Sequence, residues 1–183
     1  MEADVLIIGG GAAGTVAALL LAKAGKHCII LEKNGQIGRK LRITGKGRCN
    51  LTNACDLDTL MANVPRNPKF LYSAFARWMP EDVMAYFEQL GVPLKVERGN
   101  RVFPVSDRAE DIVAALQRAL KRAGVLVYRE TVQQLLLQEG RCTGVQTASG
   151  KQYAANCVLL AAGGASYPAT GSTGDGYTLA KQA

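Results

Sequence analysis

Apolar residues recur along this chain in two rhythms. Short unbroken runs, Val5–Ile8, Cys28–Leu31, Val125–Tyr128 and Val158–Ala162, have the length and branched composition of buried parallel strands. Between the first two, Thr15–Lys23 is rich in Ala and Leu and halts before Gly25, which predicts a helix. The stretch from Asp56 to Gly91 has helical character, with Pro80 opening a helix that runs to about Leu90 and closes at Gly91. Its aromatics, Phe70, Tyr72, Phe75, Trp78, Tyr86 and Phe87, are assigned mostly to core or cap packing. Val92–Glu97 and Arg101–Val105 flank an Arg98-Gly99-Asn100 turn as two short strands. A further helix carries the apolar stripe Ala109, Ile112, Val113, Leu116, Leu120 and Ala123, ends at Gly124, and is expected to be capped by Asp107 with Glu110 completing a capping box. The remainder to Tyr153 reads as a β-meander turning near Glu139-Gly140 and Ser149-Gly150. Strand and helix alternate, so the fold class is α/β.

The first strand runs into Gly9-Gly10-Gly11-Ala12-Ala13-Gly14, a G-x-G-x-x-G turn that opens the first helix. Each glycine has a separate task in dinucleotide binding. Gly9 permits the tight turn, Gly11 lets the backbone approach a pyrophosphate, and Gly14 lets helix and strand pack closely. The helix N-terminus offers unpaired N–H groups to the phosphates. Glu32 ends the second strand eighteen residues beyond Gly14, where an acid bonds a ribose hydroxyl. Without that context the turn would be weak evidence; a glycine-rich turn holding no ligand is the bland alternative.

Composition adds limits. At 183 residues, 48% hydrophobic and 20% charged, the chain can bury a core as one domain or slightly more. The apolar run from Val5 to Ala24 is broken by three glycines and preceded by Glu2 and Asp4, which argues against a membrane span or signal peptide. Five cysteines without C-x-x-C spacing and one histidine offer neither a disulfide framework nor a zinc site, so a reducing cytoplasm is the expected address. The net charge of +7 is uneven: from Lys33 to Cys55 lie Lys33, Arg39, Lys40, Arg42, Lys46 and Arg48 and no acid. Such a cluster meets an anion or stands in water. A cofactor pyrophosphate is the nearest anion, with RNA as its rival. The same region, Gly35 to Asn53, lacks periodicity, and irregular loops of that length are usually functional or disordered. Cys49, beside Arg48 and near Lys46, could be a thiol of lowered pKa, or a small residue packed in a tight loop. Packing is favoured, because Cys49 and Cys55 match neither C-x-x-C nor C-x4-C.

With these residues named, the chain resembles the FAD-binding domain of glutathione-reductase-type flavoproteins. Within them, GRKLRITGKGRCNLTN (Gly38 to Asn53), Arg101-Val102-Phe103-Pro104 with Ser106, and GGASYPATGSTGDGY (Gly163 to Tyr177) resemble the HI0933-like family of NAD(P)/FAD-dependent oxidoreductases. The resemblance implies a Rossmann-like FAD-binding fold with a central parallel sheet, a β-meander crossover and a helical insertion. Its segments would be a βαβ unit over 1–35, a cofactor loop over 36–55, a helical and hairpin insertion over 56–105, a helix, strand and meander over 106–155, and a closing strand and helix start over 156–183. It also implies roles. Gly9, Gly11, Ala12, Ala13 and Gly14 would face the pyrophosphate, with Glu32 and Lys33 at the adenosine ribose. Arg39 and Lys40 would continue along the cofactor, and Thr44, Gly45, Arg48, Cys49 and Asn50 would approach the isoalloxazine ring. Val132 would offer backbone groups to adenine, and Ala162 and Gly163 would pass the adenosine side. The implied activity is flavin-mediated hydride transfer on a small molecule, with NAD(P)H as a possible donor. An RNA-modifying flavoprotein and a flavin module without activity are the alternatives; nucleic acid is the less favoured partner. A last helix is expected from Tyr177 to Ala183, with the chain stopping inside it, as if a C-terminal substrate or cap domain were missing.

Overall fold

The computed structural model describes residues 2–183, which divide into two compact units: the chain up to Leu41 together with Leu116–Ala183, and Arg42–Ala115. In the first unit, strand β1 (Glu2–Ile8) leads through the glycine turn into helix α1 (Ala12–Lys23) and strand β2 (Cys28–Glu32). β1 and β2 pair in parallel, Val5 opposite Cys28 and Ile8 opposite Leu31. Leu6, Ile7, Ile29 and Ile30 are wholly buried, which is why these strands read as unbroken apolar runs. α1 closes on Gly25: Lys26 N–H donates to Leu21 C=O at 3.0 Å and Gly25 N–H to Ala22 C=O at 2.9 Å.

The six-stranded sheet is completed by β6 (Leu126–Arg129), β7 (Val132–Gln138), β8 (Arg141–Thr147) and β9 (Gln152–Leu160), in the order β6-β2-β1-β9-β8-β7. Four neighbours, β6-β2-β1-β9, run parallel; β7 and β8 form the antiparallel meander. The fold is Rossmann-like α/β. Three readings change here. The third meander strand and the closing strand are one element, because β9 pairs antiparallel with β8 at Gln152–Ala154 while running parallel to β1 from Ala154 to Leu160. Ala161 and Ala162 lie beyond its end. β6 is not buried: it is the sheet's edge, and Leu126 and Val127 are 41% and 42% exposed. The last helix, α6 (Asp175–Ala180), starts two residues earlier than expected and ends inside the chain.

In the second unit, α2 (Leu57–Ala62) is capped by the Asp56 carboxylate accepting from Thr59 N–H at 2.8 Å. α3 (Pro68–Arg77) and α4 (Pro80–Gln89) both begin on proline. β3 (Thr52–Asn53), β4 (Leu94–Glu97) and β5 (Arg101–Pro104) form an antiparallel sheet in the order β3-β5-β4, with Val102 and Phe103 buried. Trp78, Tyr86 and Phe87 pack edge to face. Phe70 and Tyr72, assigned to packing by the sequence, are exposed, since α3 has no buried residue.

Helix α5 (Ala109–Arg122) begins in the second unit and ends in the first. Its stripe is buried except at Ala123, which lies past the helix end and is exposed, while Ala115 and Ala119 are buried. Asp107 does not cap it. That residue has φ +56°, and its carboxylate accepts from Lys95 at 2.6 Å and Arg48 at 3.3 Å, while Glu110 pairs with Arg42. Cations reached across the fold outcompete a local backbone cap.

Candidate dinucleotide site

The glycine turn leaves the end of β1 where three of its glycines have no room for a side chain. Gly9 has φ +109°, and a Cβ there would lie 2.5 Å from Ala161 O. A Cβ on Gly14 would lie 1.9 Å from Gly9 O, so helix and turn touch backbone to backbone. A Cβ on Gly10 would meet Ile37 at 2.8 Å and the Glu32 carboxylate at 3.1 Å. Gly11 is different: nothing lies within 4 Å of its Cβ position. It is also the N-cap of α1 and brings no side chain to the helix's first amides, and no acid stands in the first turn. The uncapped amides of Ala12, Ala13 and Gly14 therefore carry the positive end of the helix dipole beside open space. Thr15, buried, donates its hydroxyl hydrogen to Gly11 C=O at 2.8 Å and fixes the turn. This fits an anionic diphosphate.

Glu32 is buried at 8% exposure. Its Oε2 accepts from Gly10 N–H at 2.7 Å, and its Oε1 accepts from the backbone and side-chain amides of Asn34 at 2.8 and 2.7 Å. The acid thus braces the glycine turn from the neighbouring strand, and keeps lone-pair capacity beyond these three donors. Asn34, which sequence reasoning passed over, links it to Arg39, whose guanidinium donates to Asn34 Oδ1 at 2.9 Å. Beside Glu32 opens a cavity of about 340 Å³, lined by Asn34, Ile37, Leu120, Val127 and Arg129 among others.

The two lysines of this region turn to the segment that follows β9. Lys33 Nζ pairs with Asp175 at 2.5 Å and donates to Thr173 Oγ1 at 2.6 Å. Lys40 Nζ donates to Ser172 Oγ at 2.6 Å and Ser166 C=O at 3.0 Å. Ser166, Ser172, Thr173 and Asp175 were not singled out individually by sequence; their only signal was the stretch from Gly163 to Tyr177 that contains them. The Lys33 ammonium holds the Asp175 carboxyl below the usual aspartate range. Gly163 has φ +75° and lies against Ser172, and Ala162 is partly buried against the core. The Val132 side chain is buried in the core cluster to which β1, β2, β7, β8 and β9 all contribute, so only its backbone is polar.

Thr44, Gly45, Arg48, Cys49 and Asn50 belong to the second unit. Thr44–Gly47 forms a tight turn in which Gly45 and Lys46 are left-handed, and a Cβ on Gly45 would lie 2.7 Å from the Phe103 ring. Arg48 stacks on Phe103 at 4.0 Å and donates to Glu97 at 2.9 Å and Asp107 at 3.3 Å, so its charge is committed to the unit's own carboxylates. Lys46 and Asn50 are exposed. Cys49 is fully buried, and burial pushes its thiol up, so it is not held as a thiolate. Iodoacetamide at neutral pH should alkylate Cys49 at least about tenfold more slowly than the exposed Cys157, read by peptide mass spectrometry. Equal labelling of the two would restore Cys49 as a reactive thiol.

The description of the matching family model is HI0933-like protein Rossmann domain, and it covers residues 3–183. The chain belongs to this family. Among curated relatives of this HI0933-like chain is a 3-dehydro-bile acid delta(4,6)-reductase of Clostridium scindens, 34% identical over 178 residues, which cover 96% of this chain and 42% of the relative. Another is a ribosomal RNA dihydrouridine synthase of Haemophilus influenzae, 32% identical over 97% of this chain and 44% of the relative. The chain thus spans less than half the length of these relatives. The fold is shared with a 3-ketosteroid-delta4-(5alpha)-dehydrogenase of Rhodococcus jostii, at TM-score 0.69 and 20% identity over 88% of this chain and 46% of that one. It is shared also with a flavocytochrome c3 fumarate reductase, at TM-score 0.62 and 23% identity over 89% and 34%. These likenesses and the family model agree on a Rossmann-like fold. Among the described residues no cluster of three or more metal-ligating side chains occurs, and no helix is long and apolar enough to cross a membrane.

Proposed function

We propose that this chain is the FAD-binding domain of an oxidoreductase acting on a small molecule. The observation that carries it is the open space at Gly11, facing uncapped helix amides and flanked by the braced Glu32. FAD, when bound, supplies the hydride acceptor and donor. Gly11, Ala12, Ala13 and Gly14 would hold its pyrophosphate by backbone N–H groups, Gly9, whose own N–H is bonded to Leu31 C=O, would bring the turn up to it, and Glu32 would accept from the adenosine ribose. Val132 offers backbone groups to adenine, and Ala162 and Gly163 line the adenosine side. NAD(P)H is the proposed electron donor and a reducing cytoplasm the proposed setting. Heat-denatured protein should release a yellow cofactor absorbing near ~450 nm, as a flavin does. Phosphodiesterase should cleave it to a mononucleotide. Release of nicotinamide dinucleotide alone sinks the reading.

An RNA substrate is the second reading. It is favoured by the relatives named ribosomal RNA dihydrouridine synthase and by the net charge of +7. NAD(P)H-dependent loss of uridine from ribosomal RNA, with no turnover of small unsaturated ketones, would decide for it.

A further inference from the structure

Residues 163–170 leave the end of β9 with no buried side chain among them, and Tyr167 is 70% exposed. With no buried side chain to anchor it, this stretch depends on its polar contacts. Within segment 163–175 Gly174 N–H donates to Gly164 C=O at 3.2 Å, and from outside it two lysines of the loop after β2 reach in. Lys33 reaches Asp175 and Thr173, and Lys40 reaches Ser172 and the Ser166 carbonyl. Thr173 donates in turn to Asp175 at 2.7 Å, so ammonium, hydroxyl and carboxylate close a ring of three. Ser172, buried, sits against the backbone of Gly163. Beyond the ring, Leu179 enters the core and Gln182 accepts from Leu135 N–H at 2.8 Å, so the anchor is firm on its far side.

The stretch is tied to the glycine turn at both ends. It departs beside Gly9, whose missing Cβ faces Ala161, and returns to Lys33, the residue after the acid that braces Gly10. A segment attached on both sides of a turn whose open face is Gly11 can shut that face or release it. We propose that Lys33 and Asp175 are positioning residues whose ion pair latches segment 163–175 to the loop after β2, and that opening of this latch governs escape of the dinucleotide. On this assignment Lys33 and Lys40 serve the cofactor by holding its enclosure, not by touching its phosphates. The proposal rests on the FAD reading above.

The test compares the purified, FAD-loaded protein with its Asp175→Asn and Lys33→Met variants and with the charge-exchanged pair Lys33→Asp/Asp175→Lys. Amide hydrogen exchange over 163–178 is measured with and without FAD, and FAD release is followed by flavin fluorescence after dilution. Each single variant should exchange faster over 163–178 but not over β1 and β2. Each should release FAD about three- to tenfold faster, the range for a hydrogen-bonded, part-exposed ion pair, with an unchanged visible spectrum. The exchanged pair should restore both readouts toward native. Native exchange in the single variants overturns the latch, and faster exchange with native FAD release overturns its hold on the cofactor. Should the single variants unfold, the exchanged pair decides: a folded protein that still releases FAD fast overturns the pairing. If native protein takes up no FAD, the functional reading fails and the escape claim with it. The exchange measurement without FAD then still reports whether the latch exists.

Discussion

Alanine at position 14 is expected to abolish FAD binding and to cost the protein much of its stability. The added methyl would lie 1.9 Å from Gly9 O and 3.2 Å from both Gly9 C and Ile7 Cγ2. The first obstacle is backbone, and the turn it belongs to is pinned by Gly9 N–H donating to Leu31 C=O at 2.9 Å. Relief requires α1 to move off the strand, an overpacking cost of about 1–3 kcal/mol or more. The comparison that makes this informative is Gly11→Ala. Its backbone is extended, φ −78° and ψ −169°, and its Cβ would meet nothing. Stability should therefore change by no more than about 1 kcal/mol, the difference between glycine and alanine at an N-cap. FAD affinity should nevertheless fall by about tenfold or more, because the methyl occupies the approach to the helix amides. Chemical denaturation of the cofactor-free protein and FAD titration separate the two effects. Native affinity in Gly11→Ala would mean that the diphosphate does not lie there.

Glu32→Ala should weaken both the fold and the cofactor complex. Its carboxylate accepts from Gly10 N–H and from two donors of Asn34, in a setting only 8% exposed. Truncation leaves those donors without an acceptor, at about 1–3 kcal/mol for each buried group. A stability loss of roughly 2–4 kcal/mol is expected in the cofactor-free protein. A further loss of about 1–3 kcal/mol in FAD affinity follows if the acid also meets the ribose. Glu32→Gln should fall between, since an amide retains one acceptor oxygen but loses the charge and the second acceptor. Lowered stability with native affinity per folded molecule would make Glu32 a brace alone. Unchanged stability would deny the bracing role.

Local sequence was enough for whatever is set within about a dozen residues. The strand, glycine turn and helix at the N-terminus follow from an apolar run, G-x-G-x-x-G and an Ala-rich stretch, because a central strand covered on both faces is apolar throughout and a helix closes its backbone bonds within each turn. The stops at Gly25, Gly91 and Gly124 were legible for the same reason: each closes with hydrogen bonds to residues three and five positions back. What the sequence could not show was competition between distant partners. Asp107 had the spacing of a helix cap, yet Lys95 and Arg48 claim its carboxylate. Val125–Tyr128 had the composition of a buried strand, yet strand order makes β6 an edge. The basic loop offered six cations to an anion, but Arg48 turned to Glu97, and Lys33 to Asp175, 142 residues along the chain. A charge in water has no preferred neighbour until the fold brings one within a few ångströms, where the interaction becomes strong enough to orient it. Periodicity is a property of one segment, whereas the pairing of a charge belongs to two, and only the tertiary structure joins them.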